Sequence, residues 1–113
     1  MGLKIDEKEK LSLMDEYRRL ALYPDVSGSF QRLSGRQLAI LTNGSPDMID
    51  PLVAQSGLRL DAVLSVDALK IYKPAPEVYQ LALDRLGVGK DEIGFVSSNC
   101  WDALGAKSFG LRV

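Results

Sequence analysis

Short apolar runs that each stop at a polar residue and lead into a helix bounded by Ser, Pro and Gly constrain this chain most. Gln37-Leu38-Ala39-Ile40-Leu41-Thr42 is the first such run. Its brevity and apolarity suit a strand buried on both faces. Asn43-Gly44 turns the chain, Ser45 can cap a helix, and Pro46 suits its first position. That helix is expected to reach about Ser56, kinked by Pro51 and closed by Gly57. A second strand is expected at Ala62–Ser65, followed by a loop through Asp67 and Lys73. Pro74-Ala75-Pro76 opens the next helix, whose Val78, Leu81, Ala82 and Leu86 share a face before Gly87. Ile93-Gly94-Phe95-Val96 reads as a third strand and ends in Ser97-Ser98-Asn99. The last helix is expected from near Trp101 to Phe109, with Gly110 after it and Leu111-Arg112-Val113 opening a fourth strand. This alternation predicts an α/β fold: a partial doubly wound, Rossmann-like parallel sheet with right-handed crossovers.

The amino-terminal part differs. Leu11, Leu13, Met14, Tyr17, Leu20 and Ala21 recur at helical spacing, so residues 6–22 read as one amphipathic helix. Tyr23-Pro24-Asp25 stops it. Ser27-Gly28-Ser29 suggests a short flexible stretch, and residues 30–34 a brief helical turn before Gly35.

A length of 113 residues allows one domain, and 46% apolar with 26% charged residues marks a globular chain. The net charge of −1 offers no basic face for nucleic acid. The apolar runs are too short to span a membrane, and charged residues follow Met1-Gly2-Leu3 where a signal core would stand. A lone cysteine, Cys100, forms no internal disulfide, which fits a reducing, cytoplasmic compartment. Histidine is absent, so Ser-His, Cys-His and His-metal chemistry are excluded. Any reaction must use carboxylates, Lys, Tyr, hydroxyls or backbone.

In a doubly wound sheet, chemistry gathers at the carboxyl ends of the strands. Those ends carry Thr42 and Asn43, the loop with Lys73, and Ser97, Asn99 and Asp102. Singly, each has a structural explanation: Thr42 as a helix cap, Lys73 as a solvated charge, and Ser97 and Asn99 as turn-formers. Asp102 complements a helix dipole, and Tyr79 serves a core. Together and in order they are more specific. Leu38-Ala39-Ile40-Leu41-Thr42-Asn43-Gly44-Ser45, then Lys70-Ile71-Tyr72-Lys73-Pro74-Ala75-Pro76-Glu77-Val78-Tyr79, then Phe95-Val96-Ser97-Ser98-Asn99-Cys100-Trp101-Asp102 resemble the L-2-haloacid dehalogenases. These belong to the haloacid dehalogenase superfamily of hydrolases. Related phosphatases share the Thr and Lys motifs but carry Gly-Asp and a second acid where this chain has Ser97-Ser98-Asn99 and Asp102 alone. One carboxylate beside neutral Ser97 and Asn99 makes a poor Mg²⁺ cage, and halide displacement builds no phosphoryl charge for a metal to offset. No metal and no cofactor are expected.

The resemblance implies hydrolysis of short (S)-2-haloacids to 2-hydroxy acids through an aspartyl ester, a covalent carboxylate mechanism. It implies that Thr42 and Asn43 hold the substrate carboxylate, and that Lys73 keeps the nucleophilic aspartate ionised. Tyr79 and Ser97 complete the polar lining, while Asn99 and Asp102 position and activate the hydrolytic water. Trp101 is expected to pack or to form part of an apolar wall, and Cys100 to be a buried hydrophobe.

The nucleophile strand and the halide-binding cap arginine of that family have no counterpart here; Asp6, Asp15 and Asp25 follow no apolar strand. The resemblance therefore implies that residues 1–26 are the end of a helical cap domain and residues 27–113 the second half of the core. A chain truncated in this way is expected to be inactive alone and to expose apolar surface, so it should form homo-oligomers or pair with a complementing chain. Two alternatives stay open: a non-catalytic remnant or assembly subunit, and a receiver-like signalling domain. The second has no place for residues 97–102.

Overall fold

A computed structural model describes residues 4–113. They divide into two compact units, one of residues up to Gln37 with Pro46–Arg59, the other of Leu38–Ser45 with Leu60–Val113.

In the first unit, helix α1 (Glu7–Tyr17) begins at a reciprocal cap. Asp6 Oδ1 accepts the Glu9 N–H at 2.7 Å, and Glu9 Oε2 accepts the Asp6 N–H at 2.9 Å. The helix ends five residues before the expected Leu22. Gln55 explains the early stop: its Nε2 donates to the Arg18 carbonyl (3.1 Å) and the Leu20 carbonyl (3.4 Å), so those carbonyls need no further helical turn. Helix α2 (Val26–Arg32) corrects the expected flexible Ser27-Gly28-Ser29 stretch. There the Ser29 hydroxyl donates back to the Asp25 carbonyl at 2.8 Å, one turn earlier, and the serine is absorbed into the helix. Helix α3 (Pro46–Ser56) runs through Pro51 and ends at Gly57, as its sequence signals indicate.

In the second unit, β1 (Ala39–Thr42) and β2 (Ala62–Ser65) pair in parallel, with Ala39 opposite Ala62 and Thr42 opposite Ser65. The pairing extends at both ends: Asp61 N–H donates to the Leu38 carbonyl (2.8 Å), and Val66 N–H to that of Thr42 (3.1 Å). The expectation of full burial for β1 is corrected, since its residues are half-buried and Ala39 is exposed. Helix α4 (Pro76–Leu86) buries Val78, Tyr79, Ala82 and Leu83 rather than the expected Leu81 and Leu86, which are half-buried. Helix α5 (Cys100–Phe109) buries Asp102 and Ala106. Both helices end at glycines held in the left-handed region, Gly87 (φ 67°) and Gly110 (φ 112°), where a side chain would be strained.

Ile93-Gly94-Phe95-Val96 does not form the expected third strand, nor Leu111-Arg112-Val113 a fourth. They meet at one parallel bridge between Gly94 and Arg112, where Phe95 N–H donates to the Arg112 carbonyl (2.7 Å) and Arg112 N–H to that of Ile93 (3.3 Å). The ladder stops because Val96, 95% exposed, packs on nothing and the Ser97 turn follows it. Tyr79, Leu83, Ala106 and Leu111 form the core, with Leu41, Ile93, Phe95 and Phe109 packed against it. Among the described residues no helix is long and apolar enough to cross a membrane. Leu11, Leu13, Met14, Tyr17 and Tyr23 stand exposed in the first unit.

Candidate active site

The polar groups that sequence alone placed after the strands are drawn together by α4, α5 and the loop before α4. Asn43, just beyond β1, accepts the Lys73 backbone N–H on its Oδ1 at 3.0 Å and so pins that loop. The Lys73 side chain then turns inward and its Nζ lies 3.0 Å from Asp102 Oδ2. Only 10% of the lysine side chain and 3% of the aspartate side chain remain exposed, so this is a desolvated ion pair rather than a surface one.

Tyr79 completes the group from the helix side. Its ring is fully buried in the core, while its hydroxyl donates to Asp102 Oδ1 (2.9 Å) and lies 3.1 Å from the Asp102 carbonyl oxygen. One carboxylate oxygen thus faces the ammonium and the other the phenol. The Phe95 ring seals the group: it meets Tyr79 edge-on at 5.8 Å, and Lys73 Nζ sits 5.3 Å from its centre. Among the described residues, no buried side-chain nitrogen or oxygen lacks a partner.

Burial alone pushes the Asp102 carboxyl up. Hydrogen bonds from Lys73, Tyr79 and Ser97, together with the Lys73 charge, outweigh it and hold the group below the ordinary carboxylate value. Tyr79 moves the opposite way. Burial first, then its hydrogen bond to the Asp102 carboxylate and that charge, push the phenol far above 10.0. Its neutral form is therefore favoured by folding, and the associated stability is complete below about pH 10 and lost as pH rises beyond it. Urea unfolding from about pH 9 to about pH 12 is expected to show the native chain losing stability more steeply than Tyr79→Phe, by up to about 1.4 kcal/mol per pH unit. Equal slopes would sink this expectation.

The other residues singled out from sequence lie at the edges. Thr42 Oγ1 accepts the Gly44 N–H (3.0 Å), and Ser97 Oγ accepts that of Asn99 (3.2 Å). Asn99 is exposed at the start of α5, with its side chain capping nothing. Trp101 is 46% exposed, which corrects its expected packing role. Cys100 is exposed, not a buried hydrophobe, because the first turn of α5 directs it away from the core that holds Asp102. Sequence reading passed over Phe95, taken as strand filler, and Gly105, which carries no signal beyond being a glycine inside a helix. Among the described residues, no group of three or more Cys, Asp or Glu side chains gathers as a cation cage.

Comparison with known proteins shows the family. The model of the haloacid dehalogenase-like hydrolase family matches residues 2–110. The (S)-2-haloacid dehalogenase of Pseudomonas sp. (strain YL) is 47% identical over 115 aligned residues, covering 98% of this chain and 50% of that protein. Haloacetate dehalogenase H-2 of Moraxella sp. (strain B) is 42% identical, covering 100% of the chain and 52% of the relative. The structure of the L-2-haloacid dehalogenase of Xanthobacter autotrophicus superimposes with a TM-score of 0.91 at 46% identity, over 97% of this chain and 46% of that one. A structure of the same enzyme with chloropropionic acid covalently bound gives 0.90. The chain spans about half the length of the relatives it matches. With an α/β architecture of the dehalogenase type and a family match over nearly all of its residues, the chain belongs to the haloacid dehalogenase-like hydrolases.

Proposed function

We propose that this chain carries the carboxyl-side half of a 2-haloacid dehalogenase site, acting on short (S)-2-haloacids. The buried Lys73–Asp102–Tyr79 group carries the reading, in a chain close to half identical to (S)-2-haloacid dehalogenases. In this reading residues 1–26 are the end of a helical cap and residues 27–113 the second half of the catalytic core. The attacking aspartate comes from a strand outside these residues, of the kind that the amino-terminal half of a related dehalogenase carries. Asp6 caps α1, Asp25 directly precedes α2, and Asp15 lies within α1, so none of them ends a strand.

The reaction then runs in two displacements. A carboxylate oxygen attacks the halogen-bearing carbon, and the halide leaves with the bonding electrons. Water next attacks the ester carbonyl and gives a proton to Asp102. The C–O bond to the substrate breaks, and its oxygen takes that proton back to leave as the 2-hydroxy acid. The acid formed from the aspartate loses its own proton to solvent, which regenerates the carboxylate. Lys73 favours the ionised nucleophile. Thr42 and Asn43 hold the substrate carboxylate; the Asn43 oxygen is already engaged by Lys73, which leaves its Nδ2 as the donor. Ser97 and Asn99 orient the water, and Trp101 supplies an apolar wall. Tyr79 holds Asp102. No cofactor, metal, nucleic acid or membrane takes part, and a cytoplasmic setting belongs to the same reading.

The test is halide release from (S)-2-chloropropionate by the chain mixed with the amino-terminal half of a related dehalogenase. Chloride release by the mixture, and by neither part alone, is expected. A folded mixture that releases none from any short 2-haloacid overturns the reading in favour of a non-catalytic assembly subunit, which the positions of Asp6, Asp15 and Asp25 already permit.

A further inference from the structure

Gly105 lies in the middle of α5, where glycine costs about 1 kcal/mol against alanine. Its surroundings explain why it stands there. A Cβ at this position would sit 2.5 Å from Pro74 Cβ and 2.7 Å from the Tyr79 hydroxyl oxygen. Carbon and oxygen atoms do not approach so closely without displacement. Pro74 follows Lys73 directly, and Asp102 precedes Gly105 by three residues, on the same side of the helix. The bare backbone of Gly105 therefore faces both groups that hold the Asp102 carboxylate.

We propose that Gly105 is a positioning residue: by carrying no side chain, it lets α5 approach the Lys73-Pro74 loop and the Tyr79 hydroxyl closely enough for Asp102 to be gripped from both sides. A methyl at 105 can be accommodated in three ways, and each loosens that grip. Moving Pro74 carries Lys73 away from Oδ2. Moving Tyr79 lengthens its bond to Oδ1. Withdrawing α5 takes Asp102 from both. The consequence for catalysis rests on the dehalogenase reading; the consequence for Asp102 does not.

The experiment follows the Asp102 carboxyl by ¹³C NMR in the full chain, assigned by its loss in Asp102→Asn. In Gly105→Ala the titration midpoint is expected to rise by about one pH unit, because the donors that lower it have withdrawn. Leu104→Ala, one residue away at an exposed position, is expected to leave the midpoint unmoved. In a chain that circular dichroism shows to stay folded across the titration, a general loss of helix stability does not shift a midpoint, so the rise separates positioning from packing. A folded Gly105→Ala chain with the native midpoint overturns the proposal. If that variant does not fold, a triple variant with Pro74→Gly and Tyr79→Phe, which removes both atoms the methyl meets, is expected to unfold cooperatively again; failure to do so also overturns it. In the complemented enzyme, Gly105→Ala is expected to slow halide release about tenfold or more. Absence of halide release from the unsubstituted assembly defeats the dehalogenase reading and leaves the Asp102 midpoint to decide Gly105.

Discussion

Replacement of Lys73 by Ala is expected to cost this chain about 3 kcal/mol at neutral pH, a large share of the stability of a small domain. The loss arises because the lysine and Asp102 are both almost fully buried, 3.0 Å apart. Removing the ammonium strands a carboxylate in a dry site, and stranded charge is costlier than a lost contact. Tyr79 still donates to Asp102, which keeps the loss at the low end of the range for broken buried pairs. The deficit is also expected to shrink in acid. The Asp102 carboxyl lies below its ordinary value of 3.8, so the stability it contributes is present above that value and fades as pH falls through its folded one. Adding Asp102→Asn to Lys73→Ala should cost less than the sum of the single changes, since neither charge is then left alone. Urea unfolding of the four proteins at about pH 7 and about pH 3 measures this cycle. A Lys73→Ala loss below about 0.5 kcal/mol, typical of solvated pairs, would show that water screens the pair.

In the complemented enzyme, Asp102→Asn is expected to reduce steady-state halide release by about two to four orders of magnitude while leaving a first burst of halide intact. In the proposed reaction the two chemical steps draw on different residues, and the substitution separates them. Ester formation needs an ionised nucleophile beside Lys73, and the asparagine leaves Lys73 charged. Ester hydrolysis needs a base for the water, and an amide cannot accept that proton. The esterified aspartate should accumulate, raising the mass of the amino-terminal partner by the carboxyalkyl group, that is, by the haloacid less the elements of hydrogen halide. Lys73→Ala should do the opposite, removing the burst itself. Undiminished turnover in Asp102→Asn removes Asp102 from the role of base. The native acid limb should also lie below the usual carboxylate range, because Lys73, Tyr79 and Ser97 keep Asp102 ionised there.

The amino-acid sequence by itself determined the local elements and the neighbourhood of the site. Pro46 and Pro76 open α3 and α4 because proline has no N–H for the first turn to lose. Gly57, Gly87 and Gly110 follow the ends of α3, α4 and α5 because these stops depend on one residue's backbone freedom. The succession of apolar run and polar stop placed Thr42, Lys73, Ser97 and Asp102 near one another, and their order was enough to mark the family. Tertiary structure alone decided what depends on distant partners. Gln55 ends α1 early from 37 residues away, and the carboxyl-side strands reduce to a single bridge for want of a packed neighbour. Cys100 and Trp101, apolar by type, face outward because Asp102 takes the inward side of α5. Lys73 reads as a surface charge until Asp102, 29 residues later, removes it from water. Tyr79 reads as core until its hydroxyl meets the same carboxylate. Gly105 acquires its meaning only from the two atoms a methyl would strike. Periodicity and capping are local and can be read in sequence, whereas desolvation and close approach belong to pairs of residues that the fold brings together.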